Sequence, residues 1–427
     1  MDSVGYLKRI QEEKLESFLK GLPAFSLEGA KGVGKTTLAK RYAQTVFRMD
    51  DETTASLIAG TPAILQEAAK PVLIDEWQTV PSIWNTVRHF VDDDMSPGQF
   101  ILAGSAVPKK AKLHSGSGRI VRIRMRPLSL AERQMSQPLV SLAELLSGDI
   151  CVRPQTVEVS QQEYVREILK SGFPGVRGIP DALREEVLNG YIDNTVEREF
   201  AELGIEVRRP ETLRSWLKAY AAAEGSTTSY ESILNAATPG QDKKPSKVTT
   251  MVYRDTLAAL WILDPVAPWL SEGNLYANLG KSPKHYLVDP GLTARLLDIT
   301  EQRLLDARGN VHVLGNQAKT VLGRLFEGLV AQSLKVYADA NSTEVRHLRT
   351  SRGDHEIDFI VEKGDTLVAI EVKFSPHVSN DDTKQLNWFE SFVPDRKVMK
   401  VVVYTGEYLV KRDSDDVVLI PAACLGA

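Results

Sequence analysis

The feature that most constrains the fold is a glycine-rich segment near the N-terminus, Gly29-Ala30-Lys31-Gly32-Val33-Gly34-Lys35-Thr36. It has the pattern G-x-x-x-x-G-K-[ST], which functions only between a strand and a helix. The apolar run at residues 24–27 predicts the strand, and residues 37–43 are compatible with the helix. The segment therefore predicts a phosphate-binding loop at the edge of a parallel α/β sheet.

Each residue type in this loop has a chemical reason. Glycines let backbone N–H groups approach and surround phosphate oxygens. We expect the whole loop, through Thr37, to contact ATP. Lys35 would neutralise the β- and γ-phosphates, and the Thr36 hydroxyl would take one position around Mg²⁺. The alternative is a glycine-rich turn that contains a lysine by accident.

Two acids follow an apolar run about forty residues after the loop. Residues 71–74 read as a buried parallel strand, and Asp75 and Glu76 stand at its carboxyl end. Ligands bind at this end of open α/β sheets. Asp75 would complete the magnesium shell, and Glu76 would orient and deprotonate the attacking water. A second acid favours hydrolysis over transfer to a hydroxyl, although a solvated strand end would look similar.

Two further residues are candidates for phosphoryl transfer. Ser105 follows the apolar run at residues 100–102 and could hydrogen-bond the water or the γ-phosphate, or be a turn serine. Arg119 precedes an alternating strand at residues 120–126. It could stabilise the transferred charge, in cis or from a neighbouring subunit, or it could be a surface arginine.

These segments together resemble a known family. The resemblance is carried by residues 27–29, Leu73-Ile74-Asp75-Glu76-Trp77-Gln78, Val80-Pro81, 101–105, and Gly118-Arg119 followed by Pro127-Leu128-Ser129. These segments resemble the AAA-type ATPase domain of a large group of prokaryotic proteins. In that group a C-terminal region of unassigned function follows. The segments that resemble this region are Ser171-Gly172-Phe173-Pro174, residues 288–292 and residues 323–327. The resemblance covers nearly the whole chain.

The resemblance implies an α/β architecture with several parts. These are an AAA-type P-loop domain at residues 1–150, a helical lid or linker at 151–209, a winged-helix segment at 210–275 and a PD-(D/E)XK restriction-endonuclease-like domain at 276–427. It implies ATP binding, with Mg²⁺, and little about biological role. Lys31 stands where arginine is commoner. Ala103 stands where threonine is usual, which weakens Ser105 as a sensor.

Composition is that of an ordinary globular protein. The chain has 427 residues, 43% hydrophobic and 25% charged. No apolar stretch approaches the ~20 residues needed to span a bilayer, and the first residues do not resemble a secretory signal. Two cysteines make neither a disulfide framework nor a zinc site. We therefore expect a cytoplasmic protein without a membrane partner. The net charge of −4 gives no global attraction to nucleic acid.

The middle of the chain has the pattern of a winged helix. Residues 210–223, 230–236 and 247–260 read as three helices, and residues 261–266 read as a returning strand. The basic residues near the third helix are Lys243, Lys244, Lys247 and Arg254. In DNA-reading domains this helix enters the major groove. Winged helices also serve as protein contacts, so both alternatives stay open.

A second chemical signature lies near the C-terminus. Glu-x-Lys alone is unspecific, but Glu371 and Lys373 share one face of a strand, and a hairpin turn at residues 364–365 would bring Asp358 beside them. Asp358, Glu371 and Glu327, from a preceding helix, would hold Mg²⁺. Lys373 would stabilise developing charge or help to activate water.

Three readings of this signature remain. They are an active nuclease, a nuclease-derived fold used for binding or regulation, and a charged surface hairpin. The basic residues just before it that could meet phosphates are His347, Arg349 and Arg352. The leading prediction is an ATP-hydrolysing AAA-type protein that acts on or is regulated by DNA and can form a homo-oligomer. The competing class is a signalling ATPase whose C-terminal half binds protein.

Overall fold

The computed structural model describes residues 5–106, 118–239, 244–270, 282–306, 315–350 and 353–427. In the helix that begins at residue 315, side chains are described from residue 321 onward. Lys243 and Arg352 lie outside these residues. Two main sheets organise the described chain, one near each end of the sequence, and a helical region lies between them.

The first sheet is a parallel one. Its strands are β1 (Ala24–Glu28), β2 (Thr45–Arg48), β3 (Val72–Asp75), β4 (Phe100–Gly104) and β5 (Ile120–Arg124). Their order across the sheet is β2-β3-β4-β1-β5, and every neighbouring pair is parallel. The predicted parallel α/β sheet is therefore confirmed, with the glycine-rich loop directly after β1, an interior strand between β4 and β5.

Apolar residues cover both faces of this sheet. The helices around it are α1 (Gln11–Gly21), α2 (Lys35–Lys40), α3 (Glu52–Gly60), α4 (Ile64–Glu67) and α5 (Ser82–Asp93). Ile74 and Leu102 belong to a core with α5, whereas Leu73 and Ile101 belong to the core on the opposite face. This alternation follows from the two-residue period of strand side chains.

The middle region is mostly helical. Its elements are α6 (Leu142–Ser147), α7 (Gln161–Leu169), α8 (Pro174–Arg177), α9 (Asp181–Asn194), α10 (Phe200–Glu202), α11 (Pro210–Ala222), α12 (Tyr230–Ala237), α13 (Lys247–Ala259), α14 (Pro290–Leu296) and α15 (Glu301–Leu304), with short strands β6 (Val140–Ser141), β7 (Gln155–Thr156) and β8 (Ala267–Pro268). A π-helical turn at Thr195–Glu199 joins α9 to α10, within the segment 151–209 that was expected to be helical. The strand predicted over 261–266 is reduced to antiparallel bridges of Leu263 with Leu287 and of Val266 with Lys284.

The second sheet contains both parallel and antiparallel strand pairs. The C-terminal part of the chain, which supplies most of its strands, consists of α16 (Gly315–Ala340), β9 (Val345–Arg349), β10 (Glu356–Lys363), β11 (Thr366–Lys373), α17 (Asn380–Phe392), β12 (Lys397–Tyr404), β13 (Tyr408–Lys411), β14 (Val418–Pro421) and β15 (Leu425–Gly426), the last of which pairs with β6. The order is β7-β13-β14-β12-β11-β10-β9-β8. The predicted hairpin is β10-β11, and β11, β12 and β14 run parallel.

Packing crosses two of the expected boundaries. Leu142 and Leu145 of α6, inside the domain expected at 1–150, share a core with Phe359 and Ile370 of the second sheet. Leu292 and Leu296 of α14, inside the domain expected at 276–427, share a core with the middle helices. These boundaries depend on contacts between distant segments, which local patterns do not record.

Candidate nucleotide site and C-terminal acidic cluster

The glycine-rich loop has a backbone that side chains would disrupt. Gly29, Gly32 and Gly34 all have positive φ, and a Cβ on Gly29 would lie 2.2 Å from the carbonyl oxygen of Met125. The buried Lys35 ammonium donates hydrogen bonds to the Gly29 carbonyl at 2.8 Å and to the Ala30 carbonyl at 3.0 Å. The lysine is therefore held within the loop it is expected to serve.

The electrostatic environment of Lys35 is dominated by burial. Burial lowers the pKa of its ammonium to about 8, although the nearby carboxylates of Glu76 and Asp75 oppose this effect. A lysine in this state loses little hydration when phosphate approaches, because it is already largely desolvated.

Thr36 and Asp75 form the pair expected to hold magnesium. The Thr36 hydroxyl donates to Oδ1 of Asp75 at 2.7 Å, which joins the start of α2 to the end of β3. A hydroxyl and a carboxylate side by side fit Mg²⁺, which prefers oxygen ligands and usually keeps waters and substrate phosphates in its shell. These two residues therefore fit the ion that P-loop chemistry requires.

A polar group lies at the ends of β3 and β4. Glu76 has φ of 52°, a left-handed conformation that is unusual for a side-chain-bearing residue. The Gln78 amide donates a short hydrogen bond to the Glu76 carboxylate and also lies 3.4 Å from the Ser105 hydroxyl. The predicted Glu76 and Ser105 are thus brought together, and Gln78, which the sequence reading did not single out, connects them.

The helical region contributes acids to the same site. Lys31 of the loop pairs with Glu202 at 2.7 Å and lies 3.8 Å from Glu199. Burial raises the pKa of Glu199, and the Lys31 ammonium opposes the shift. Tyr191 also donates to the Lys31 carbonyl at 3.1 Å. The segment 191–202 therefore covers the glycine-rich loop.

These residues enclose a cleft of about 650 Å³. Its lining includes Lys31, Glu76, Gln78, Ser105, Glu199 and Glu202. The volume is in the range of small-molecule and cofactor sites.

Arg119 does not lie at this cleft. The register pairs Ala24 with Ile120 and Glu28 with Arg124, so Arg119 stands at the amino end of β5 while the loop follows the carboxyl end of β1. About five residues of strand, or ~16 Å, separate the two levels. Arg119 instead pairs with Asp92 at 2.8 Å. The expected role in cis is therefore wrong for this chain, whereas a role in a neighbouring subunit stays a prediction.

A second contact surface adjoins Ser105. The Trp261 indole N–H donates to the Ser105 carbonyl at 2.6 Å, and the Arg124 guanidinium lies over the indole ring. Asp264 then pairs with Arg124 at 3.0 Å and with Arg126 at 2.8 Å. Burial would raise the pKa of Asp264, but these cations hold it well below its usual range. The segment after α13 is thereby fixed to the end of β5.

The C-terminal acids converge as predicted, but around a lysine. Phe359 pairs with Ile370, and the next step of this register places Asp358 opposite Glu371 on one face of the sheet. Lys284, which is 1% exposed, lies 2.8 Å from Asp358 and 2.8 Å from Glu327. The position between these carboxylates is therefore taken by an ammonium group.

The remaining charges are arranged around this pair. Glu356 lies 3.1 Å from Lys284, and Lys373 lies 3.5 Å from Glu371. Burial raises the pKa of Glu327 to about 7, with a further contribution from the Asp358 carboxylate. Burial acts in the same direction on Asp358, but Lys284 outweighs it and lowers the pKa of that carboxyl.

The expected magnesium site at Glu327, Asp358 and Glu371 is therefore corrected. In the described part of the chain, no three His, Cys, Asp or Glu side chains are grouped as a metal site requires. Among the expected phosphate contacts, His347 is buried with Nε2 3.3 Å from the Ser282 carbonyl, and Arg349 pairs with Glu356 at 3.4 Å. The sequence reading missed Lys284 because a single lysine in residues 284–288 has no motif around it.

Comparison with known proteins agrees with the site at the N-terminal end. Residues 22–134 match the model of an AAA domain. The sheet, the loop and this match define an AAA-type P-loop ATPase domain, which confirms the predicted ATP-binding fold. Residues 161–303 and 322–425 match two domains of unknown function, DUF8612 and DUF4143.

Relatives extend along most of the chain. An uncharacterized protein of Mycobacterium tuberculosis is 26% identical over 97% of this chain and 83% of its own length, and one of Mycobacterium bovis gives the same values. An uncharacterized protein of Haemophilus influenzae is 25% identical over 82% of this chain and 75% of its own length.

Solved structures are more distant. The Walker-type ATPase of Pyrococcus abyssi has a TM-score of 0.40 at 15% identity and covers 68% of this chain and 96% of its own. The ORC2 protein of Aeropyrum pernix has a TM-score of 0.28 at 15% identity, over 68% and 89%. None of the described helices combines the length and apolar character that crossing a membrane requires.

Proposed function

We propose that the protein is a magnesium-dependent ATPase that works as a nucleotide-controlled switch. The observation that carries this proposal is the hydrogen bond between Thr36 and Asp75, next in the chain to the buried Lys35 and to Glu76, which lines the cleft. Phosphate charge, a cation and a general base would meet at this place.

Each residue has one task in the proposed reaction. Lys35 leaves its loop carbonyls to contact the β- and γ-phosphates, and Glu76 accepts a proton from the attacking water. Gln78 and Ser105 hold that carboxylate and the water in position. Magnesium, held by Thr36 and Asp75, would neutralise charge that develops on the phosphates.

Two variants test the assignment. Glu76→Gln should bind ATP with nearly unchanged affinity and hydrolyse it at least ~100-fold more slowly, the usual scale for loss of a general base. Lys35→Ala should lose ATP binding itself. Phosphate release and nucleotide affinity are measured on both. Wild-type turnover in Glu76→Gln would refute the role of Glu76 as the base.

One observation favours a protein partner over DNA for the middle region. The basic residues near α13 are engaged: Lys244 donates to Asn235 at 2.9 Å, Lys247 pairs with Glu231 at 3.3 Å and Arg254 pairs with Asp255 at 2.8 Å.

The same helix exposes apolar side chains instead. Val248 is 70% and Met251 is 51% exposed. A helix that reads DNA presents basic and polar side chains to the groove, whereas exposed apolar residues are typical of protein contacts. The competing class, a signalling ATPase whose C-terminal half binds protein, is supported by this surface.

DNA binding is tested directly. DNA binding is measured by fluorescence anisotropy with duplex and single-stranded DNA, with and without ATP and Mg²⁺. We expect Lys247→Ala to cause no loss of DNA binding relative to wild type. Binding with a steep salt dependence that Lys247→Ala reduces would instead support the DNA-directed function.

A further inference from the structure

Lys284 lies where a nuclease-like centre would hold its metal ion. It belongs to the segment 284–288, which the middle region contributes through the bridge of Lys284 with Val266. Its ammonium makes three contacts with carboxylates of the C-terminal sheet and of α16, at 2.8 Å to Glu327, 2.8 Å to Asp358 and 3.1 Å to Glu356.

The geometry is that of hydrogen bonds from an ammonium group. Its three protons match three carboxylate acceptors, and the distances fall in the range of N–H···O bonds, not of the ~2.1 Å that Mg²⁺ requires. The other oxygen of Asp358 accepts the Val372 N–H at 3.0 Å, and the Tyr286 hydroxyl donates to Glu327 at 2.5 Å. The acids are therefore already supplied with donors, and this set of residues does not fit a divalent ion.

We propose that Lys284 replaces the divalent cation, so that the C-terminal centre is an internal ion-pair cluster and not a metal-dependent nuclease. The cluster fastens the segment 284–288 to the sheet that carries Asp358 and Glu371. Removal of one carboxylate partner of a buried lysine strongly destabilises a fold, because a buried charge is left unpaired. We therefore expect the cluster to form a stable joint between the middle region and the C-terminal sheet.

The charges of the cluster predict what happens when the lysine is removed. Four carboxyl groups, those of Glu327, Glu356, Asp358 and Glu371, surround Lys284 and Lys373. In Lys284→Met one ammonium is lost and a side chain of similar length remains. The carboxylates would then take a divalent ion from solution.

The test is a titration with Mn²⁺ in the absence of nucleotide, in which electron paramagnetic resonance measures the concentration of the free ion. In wild type, Asp358 should bind no Mn²⁺, so wild type and Asp358→Asn should bind the same amount of Mn²⁺. Lys284→Met should gain one site with a Kd of about 10⁻⁴ M or tighter, within the range of carboxylate sites for divalent ions. Adding Asp358→Asn to Lys284→Met should remove that site.

A matched control separates this effect from loss of any buried lysine. Lys400 is also buried, but it pairs with the single carboxylate of Glu390 at 2.6 Å, so Lys400→Met should gain no site. A gained site in Lys400→Met, or none in folded Lys284→Met, would overturn the proposal. So would Mn²⁺ binding by wild type that Asp358→Asn abolishes, and this comparison decides the matter even if Lys284→Met fails to fold.

Discussion

The affinity for ATP should fall as pH rises above neutrality, because burial has shifted Lys35. Its ammonium has a pKa of about 8 in the nucleotide-free protein. Phosphate oxygens stabilise the charged form, so the pKa must rise when ATP binds. Binding therefore takes up a proton in the pH range between the two values, and the affinity decreases as pH rises through that range.

The size of the effect follows from the fraction of Lys35 that is charged. With a pKa of about 8, roughly nine tenths are charged at pH 7 and roughly one tenth at pH 9, which gives an affinity about 10-fold weaker at pH 9. This corresponds to about 1.4 kcal/mol. An ordinary lysine, with a pKa near ~10.4, would change the affinity by only a few per cent over the same range. Lys31 does not contribute, because its pKa is raised by Glu202 and Glu199 against the effect of burial.

The assay is the Kd of ATP with Mg²⁺, measured by calorimetry at pH 7 and pH 9 in buffers of different ionisation enthalpy. Proton uptake should appear at pH 8 and above. Lys35→Arg serves as the control, because a guanidinium stays charged and removes the titration while the nucleotide's own ionisation remains. Equal affinities of wild type at pH 7 and pH 9, or the same slope in Lys35→Arg, would refute the reasoning.

Three further outcomes are expected. Glu199→Gln should strengthen ATP binding several-fold, on the order of 1 kcal/mol, because it neutralises a carboxylate that lines the cleft in which ATP is proposed to bind; unchanged affinity in a binding titration would contradict this. Gly29→Ala should lower the free energy of unfolding by about 2 kcal/mol or more, because its Cβ would meet the Met125 carbonyl. Gly21→Ala is the control, because a Cβ there meets nothing within 4 Å and the free energy of unfolding should not fall. If Arg119 acts in a neighbouring subunit, turnover per subunit should rise with protein concentration, and Arg119→Ala should abolish that rise; a concentration-independent rate would exclude the role.

Sequence predicts the local parts of both sites well. The glycine-rich loop, the acids after β3 and the β10-β11 hairpin depend on residues close together in the chain, and the structure brings each group together as expected. Asp358 and Glu371 are thirteen positions apart, and a single tight turn at Gly364 fixes their pairing. A period of two residues along each strand then decides which side chains share a face.

The parts that sequence did not predict are contacts between distant segments. Lys284 reaches Glu327 over 43 positions and Asp358 over 74, and Lys31 reaches Glu202 over 171. Neither lysine has a periodic or motif signal, since each is one charged residue whose partner is chosen by the packing of whole regions. The same reason applies to α6 and α14, which pack across the boundaries expected at 150 and 276.

The Lys31–Glu202 ion pair and the ion pairs of Lys284 differ in strength. We expect the region held by the weaker pair to move more readily. Lys31 is 36% exposed and Glu202 is 59% exposed at the side chain, so their ion pair contributes at most about 1 kcal/mol. Incoming phosphate can compete for Lys31 at that cost. Lys284 is 1% exposed, and separating it from its acids would leave buried charges unpaired, at a cost of about 3–5 kcal/mol. Nucleotide binding is therefore expected to release the helices that cover the loop before it disturbs the joint between the middle region and the C-terminal sheet.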